Sequence, residues 1–105
     1  MSQDTAILTS EQQDAMQLAI EAQVNLLNIE FRKFYDGQYN YEFEKRVGVI
    51  EDGLIERFVS IWGMEASGNG EKQFNEIAGY DSLQKAIKEF VKGKLNAYRD
   101  SKKSG

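Results

Sequence analysis

The sequence predicts an α+β domain: a long N-terminal helix, a central antiparallel β-hairpin or three-stranded sheet, and a C-terminal helix. Three observations lead there. Apolar residues recur in steps of three and four at Met16, Ile20, Val24, Leu27, Phe31 and Phe34, which is one face of a helix. From Tyr39 the pattern alternates, with Tyr39, Tyr41, Phe43, Val47 and Val49 on one side and Asn40, Glu42, Glu44 and Arg46 on the other; Asp52-Gly53, a favoured hairpin turn, follows. Helical spacing returns at Leu83, Ala86, Ile87, Phe90 and Val91.

The first helix opens at Thr9-Ser10-Glu11-Gln12, where two capping boxes are available, Thr9 with Gln12 or Ser10 with Gln13. A second row at Ala15, Ala19, Ala22, Leu26 and Ile29 widens its apolar face and implies burial on more than one side. Acidic residues come early and Arg32-Lys33 late, which complements the helix dipole, and Asp36-Gly37 is a natural stop. With Asp52-Gly53 as the loop, Val47 faces Phe58 and Phe43 faces Trp62, so a single register gathers the large side chains. The alternative is an all-α helical bundle, because Phe43, Val47, Ile50, Leu54, Phe58 and Ile61 also step by three and four. That helix would enclose Gly48 and Gly53, each costing about 1 kcal/mol relative to alanine, and strands are preferred on that ground. Residues 63–70 read as a loop, and 73–78, with Phe74 and Ile77, as a short third strand. Asp81 or Ser82 caps the last helix, which reaches toward Tyr98 with Gly93 inside it. The expected organisation is a single domain over 1–105 with frayed ends at 1–8 and 99–105.

At 105 residues, 41% hydrophobic and 29% charged, the chain can build one core and is too apolar to be disordered. No run approaches the roughly 20 apolar residues of a membrane span, and the first residues lack a signal peptide's basic and apolar regions, so a cytoplasmic protein with no membrane partner is expected. Charge is unevenly spread. Residues 1–30 hold five acidic groups and no Lys or Arg, whereas 82–105 hold seven basic groups against two acidic.

Catalysis is disfavoured by what is missing. With neither histidine nor cysteine, the commonest acid/base, thiol nucleophile and zinc ligands are lost, and no cofactor or metal is expected. Ser82-Leu83-Gln84-Lys85 has the spelling of a serine–lysine pair but sits where a helix cap is needed. Glu42 with Glu44, and Glu51 with Asp52, are pairs of carboxylates without the spacing of a calcium loop, and Gly68-Asn69-Gly70 lacks the following Gly-Lys of a P-loop. A non-enzymatic binding protein is the expectation.

For such a protein the expected docking surface is acidic and tyrosine-bearing: Tyr39, Tyr41, Glu42, Glu44, Glu51, Asp52 and Glu56, with Glu11, Asp14 and Glu21 of the first helix adding charge. Its partner would be a larger protein with a basic cleft. In size and acidity the chain resembles phage and mobile-element inhibitors, anti-CRISPR proteins among them, and nucleic-acid mimics. A homo-oligomer is a further possibility, resting on the broad apolar face of the first helix.

The alternative function follows from another set of residues. Lys33-Phe34-Tyr35, Trp62-Gly63, Gly68, Gly70, Phe74, a helix with Ala86, Ile87 and Phe90, and then Lys94-Leu95 and Tyr98 run in order across 33–98. In that order they resemble a WGR domain, the small DNA-end-sensing module of poly(ADP-ribose) polymerases and some bacterial proteins. The namesake arginine is replaced here by Met64, and a second alignment can be drawn around Arg46-Val47-Gly48. The resemblance implies strands followed by a helix, and nucleic-acid binding with Trp62 at the site. Lys85, Lys88, Lys92, Lys94 and Arg99 would then track phosphates. Where those cations point separates the two readings.

Overall fold

The computed structural model describes residues 8–66, Gly68 and 79–103. They form three helices, α1 (Ser10–Phe34), α2 (Tyr41–Ala66) and α3 (Tyr80–Lys103), packed up-down-up into a bundle whose longest dimension is 48 Å. The α+β expectation is therefore overturned. Among the described residues there is no strand, and Asp52-Gly53 is no turn but lies midway along α2. The third strand expected at 73–78 lies outside the described residues.

Each helix has a legible start. Thr9 caps α1 through the first of the two boxes: its Oγ1 accepts from Gln12 N–H, and the Gln12 side chain accepts from Thr9 N–H, both at 3.0 Å. At the other end Asp36 and Gly37 take φ of 55° and 70°, and Gly37 N–H donates to the Phe31 carbonyl at 2.9 Å. That left-handed pair turns the chain back on itself, as the Asp-Gly stop predicts. Asn40 then caps α2, its Oδ1 accepting from Phe43 N–H at 2.8 Å, with Glu42 and Glu44 in the first turn. α3 starts at Tyr80, earlier than the expected Asp81 or Ser82 cap, with Leu83 N–H donating to the Gly79 carbonyl. It continues past Tyr98 to Lys103, so Arg99 stands inside a helix; residues 1–7, 104 and 105, the remainder of the expected frayed ends, lie outside the described residues.

Two buried clusters run along the bundle axis, with Ile50 packed against both. One joins Met16 and Ile20 of α1, Leu54 and Phe58 of α2, and Ile87, Val91 and Leu95 of α3. The other joins Leu27 and Phe31 to Phe43 and Val47. Phe43 sits fully buried among Phe31, Tyr35, Tyr39 and Tyr98, with ring centroids 4.7, 5.3, 5.7 and 6.3 Å away.

These clusters explain why the helix wins over the hairpin. The three glycines inside α2, Gly48, Gly53 and Gly63, cost about 3 kcal/mol together. One helical face buries Phe43, Val47, Leu54 and Phe58 against both neighbours, at about 1.5–3 kcal/mol for each side chain. A lone hairpin would leave both outer edges of its backbone unpaired and is marginal without a third strand. The row that the hairpin would have buried also comes apart: Tyr41 and Val49 are exposed while Phe43 and Val47 are sealed.

Candidate functional site

The acidic residues expected to form one surface are divided between two. Glu44 and Glu51 stand seven residues apart on the side of α2 that faces α3, and Lys92 and Arg99 stand seven apart on α3. In antiparallel packing these spacings match. Arg99 Nη1 donates to Glu51 Oε2 at 2.9 Å, and Arg99 Nε donates to both oxygens of Glu44 at 3.1 and 3.2 Å. Lys92 Nζ reaches Glu51 Oε1 at 3.4 Å, and Asn96 accepts from Arg99 at 2.8 Å. The Tyr39 hydroxyl also donates to Glu44, and Lys103 lies over the Tyr39 ring at 5.4 Å.

Glu51 is only 5% exposed and stays charged because of this network. Burial alone would raise its pKa, but the hydrogen bond and charge of Arg99, with the charge of Lys92, outweigh burial and hold it below the usual carboxylate range. Arg99 is raised in turn, first by its bond to Glu51 and against the cost of its own burial. Glu51, Glu44 and Tyr39 therefore belong to the seam between two helices, and the expected contact set contracts.

What remains lies on the opposite side of α2. Tyr41, Glu42, Lys45, Val49, Asp52 and Glu56 share its outward face, with Tyr41 72% exposed and Lys45 over its ring at 5.3 Å. Glu42, Asp52 and Glu56 form no ion pair with another described residue. Glu11, Asp14 and Glu21 are exposed on α1, with Glu21 accepting from Gln17 at 2.8 Å.

The cations of the alternative reading are also divided. Lys92 and Arg99 are engaged by Glu51 and Glu44, which are residues of α2, not of the acidic first helix. Lys94 points elsewhere and lies over the Phe90 ring at 5.4 Å. Lys85 and Lys88 stay exposed and form no ion pair with another described residue. Trp62 is half-buried against the core, its ring stacked on Phe58 at 4.9 Å and 27°. One face that a base could stack on is thus taken. Of the residues that carry the WGR resemblance, Lys33-Phe34 close α1, Trp62-Gly63 lie in α2 and Ala86 to Tyr98 in α3, with no strand among the described residues; Gly70 and Phe74 lie outside them.

Two other cross-links were missed by the reading of the sequence. Arg46 forms a two-point bond with Glu30, at 2.9 and 3.2 Å, and ties α2 to α1. The Tyr98 hydroxyl donates to Asn28 Oδ1 at 3.0 Å and ties α3 to α1; burial, with Glu30 nearby, pushes the Tyr98 phenol up to about 12. Neither pair has a signal in the sequence until the middle is known to be helical.

Among the described residues no group of three or more Asp or Glu could hold a metal ion, and no helix is long and apolar enough to cross a membrane. No family model, curated protein or solved structure matches the chain.

Proposed function

We propose that the chain is a non-enzymatic protein-binding module, an inhibitor or adaptor of the nucleic-acid-mimic kind. Its α2 outward face docks in the basic cleft of a larger protein. The observation that supports this reading is the division of charges across the α2–α3 seam. Arg99 is largely buried between Glu51 and Glu44, and Lys92, partly exposed, is drawn to Glu51, which weakens two of the basic helix's phosphate-binding candidates. Glu42, Asp52 and Glu56 form no ion pair with another described residue and outnumber Lys45 on a face shared with Tyr41 and Val49, a mix of carboxylates, a phenol and an aliphatic patch suited to a cleft built for phosphates. The net charge of −4 adds long-range attraction to such a partner.

The test has two arms. The first is fluorescence anisotropy with labelled single- and double-stranded DNA and RNA at low and moderate salt. The expected result is no binding. Salt-sensitive binding that disappears when Lys85, Lys88 and Lys92 are reversed to Glu would replace this reading with the nucleic-acid one. The second is affinity capture with wild type and with the Glu42→Lys, Asp52→Lys, Glu56→Lys variant, followed by competition. A captured protein is expected to be lost with that variant and to release its own DNA or RNA when wild-type chain is added.

A further inference from the structure

The outward face of α1 is apolar, covered by neither α2 nor α3, and symmetric in sequence. Leu18, Leu26 and Ile29 are 68%, 52% and 59% exposed, with Ala15 and Ala22 exposed between them. They stand on the side opposite the buried row of Met16, Ile20, Leu27 and Phe31, so neither α2 nor α3 covers them. Their spacing is a palindrome centred on Ala22. Leu18 and Leu26 lie four residues to either side, Ala15 and Ile29 seven, and Glu11 and Lys33 eleven. The ends of this face carry opposite charges, Glu11 and Asp14 at the start and Arg32 and Lys33 at the finish. All four are exposed, none forms an ion pair with another described residue, and Lys33 lies over the adjacent Phe34 ring at 5.5 Å.

From this arrangement we infer that α1 packs antiparallel against α1 of a second copy, about a twofold axis at Ala22. The symmetry supplies the match at every level. Ala22 meets itself, and its small side chain lets the two helices approach closely. Leu18 meets Leu26 of the second copy, and Ala15 meets Ile29, which covers the apolar stripe in a self-complementary way. Glu11 falls opposite Lys33 of the second copy, and Asp14 falls beside its Arg32. A parallel pairing would instead set Glu11 against Glu11 and Lys33 against Lys33, so charge selects the antiparallel orientation. The inference is independent of the proposed function: it uses a different helix and leaves the α2 outward face uncovered, so each dimer would present two such faces.

The chain has no cysteine, which makes the test direct. Ala22→Cys is expected to form an intermolecular disulfide under mild oxidation, because the two positions meet at the axis. Glu11→Cys is expected to remain unlinked, since in the antiparallel pair its two copies stand about 33 Å apart along the helices, from roughly 1.5 Å per residue. Sedimentation of the wild type from about 1 µM to about 1 mM should show a monomer–dimer equilibrium in this range. Lys33→Glu should weaken dimerisation several-fold, and the double swap Glu11→Lys with Lys33→Glu should restore it. All these positions are exposed, and circular dichroism is to check that each variant keeps its helices. A chain that stays monomeric throughout, with Ala22→Cys unlinked, would overturn the inference and leave the face to a different protein. Equal cross-linking at both positions, or no rescue by the double swap, would overturn the antiparallel register.

Discussion

Arg99 on α3 donates to Glu51 on α2 at 2.9 Å in a seam where both side chains are nearly sealed from water. Such a pair gives weak net stability relative to a well-packed apolar pair, yet breaking it strands a charge. Glu51→Ala should destabilise the fold by about 3 kcal/mol, near the lower end of the range for buried pairs because Glu44 still holds Arg99. Replacing both partners, as in Glu51→Leu with Arg99→Met, should recover most of that loss. Urea denaturation of the two variants and the wild type checks this, and equal losses in both variants would remove the electrostatic account.

The same pair and the Tyr98 phenol set the pH dependence. Glu51 is held below its ordinary range, so the unfolded chain takes up its proton first as pH falls. Its contribution is complete above the unfolded carboxylate value of about 4.3 and is lost as pH drops through the lower folded value. Tyr98 has the opposite sign. Its folded pKa is raised to about 12, so its contribution is complete below the unfolded value of about 10 and is lost as pH climbs toward 12. Thermal melts across pH should show both losses; Glu51→Gln should flatten the acid side and Tyr98→Phe the alkaline side.

Phe43 and Tyr41 are two residues apart and should behave as opposites. Phe43 is enclosed by four aromatic rings, and Phe43→Ala should cost about 3–5 kcal/mol as a cavity opens where α1, α2 and α3 meet. Tyr41 stands in solvent, and Tyr41→Ala should change stability by less than about 0.5 kcal/mol. On the proposed function the second variant should nevertheless weaken partner capture. Calorimetry paired with a capture assay separates the two roles.

How far the sequence could be read depended on whether a residue's signal was local. Thr9 with Gln12, the apolar row from Met16 and the Asp36-Gly37 stop are each set by near neighbours, and each is found where expected except at the row's last member, Phe34, which is exposed. The middle failed because Phe43 and Val47 satisfy a period of two as well as a helical repeat, and the glycines tilted the choice. Asn40 followed by Glu42 and Glu44 was the available sign of a helix start. That error carried into the candidate site. On a hairpin, Glu42 and Glu44 share a strand face and Glu51-Asp52 sit at the turn; on a helix, Glu44 and Glu51 turn to Lys92 and Arg99 while Glu42 and Asp52 face outward. The second apolar row of α1 was visible, but whether it was covered depended on how the other two helices packed. Leu18, its most exposed large member, escaped notice because only alanines lie within three residues of it on that row.

Three of the glycines within helices provide the sharpest check on the fold itself. Gly48, Gly53 and Gly93 have helical backbones, and a methyl group built on any of them meets nothing within 4 Å. Alanine at each should therefore stabilise the protein by about 0.5–1 kcal/mol, by reducing the entropy of the unfolded chain and favouring the helix. For a domain of this size that raises the melting temperature by about 4–8 °C per kcal/mol. The three sites share no contacts and lie on different turns, so their effects should add. Gly53→Ala has the further merit of opposite signs in the two folds. In a hairpin it would sit where the turn needs a left-handed residue, and alanine there would destabilise. A rise in melting temperature with unchanged helical circular dichroism supports the bundle; a fall would return the middle of the chain to strands.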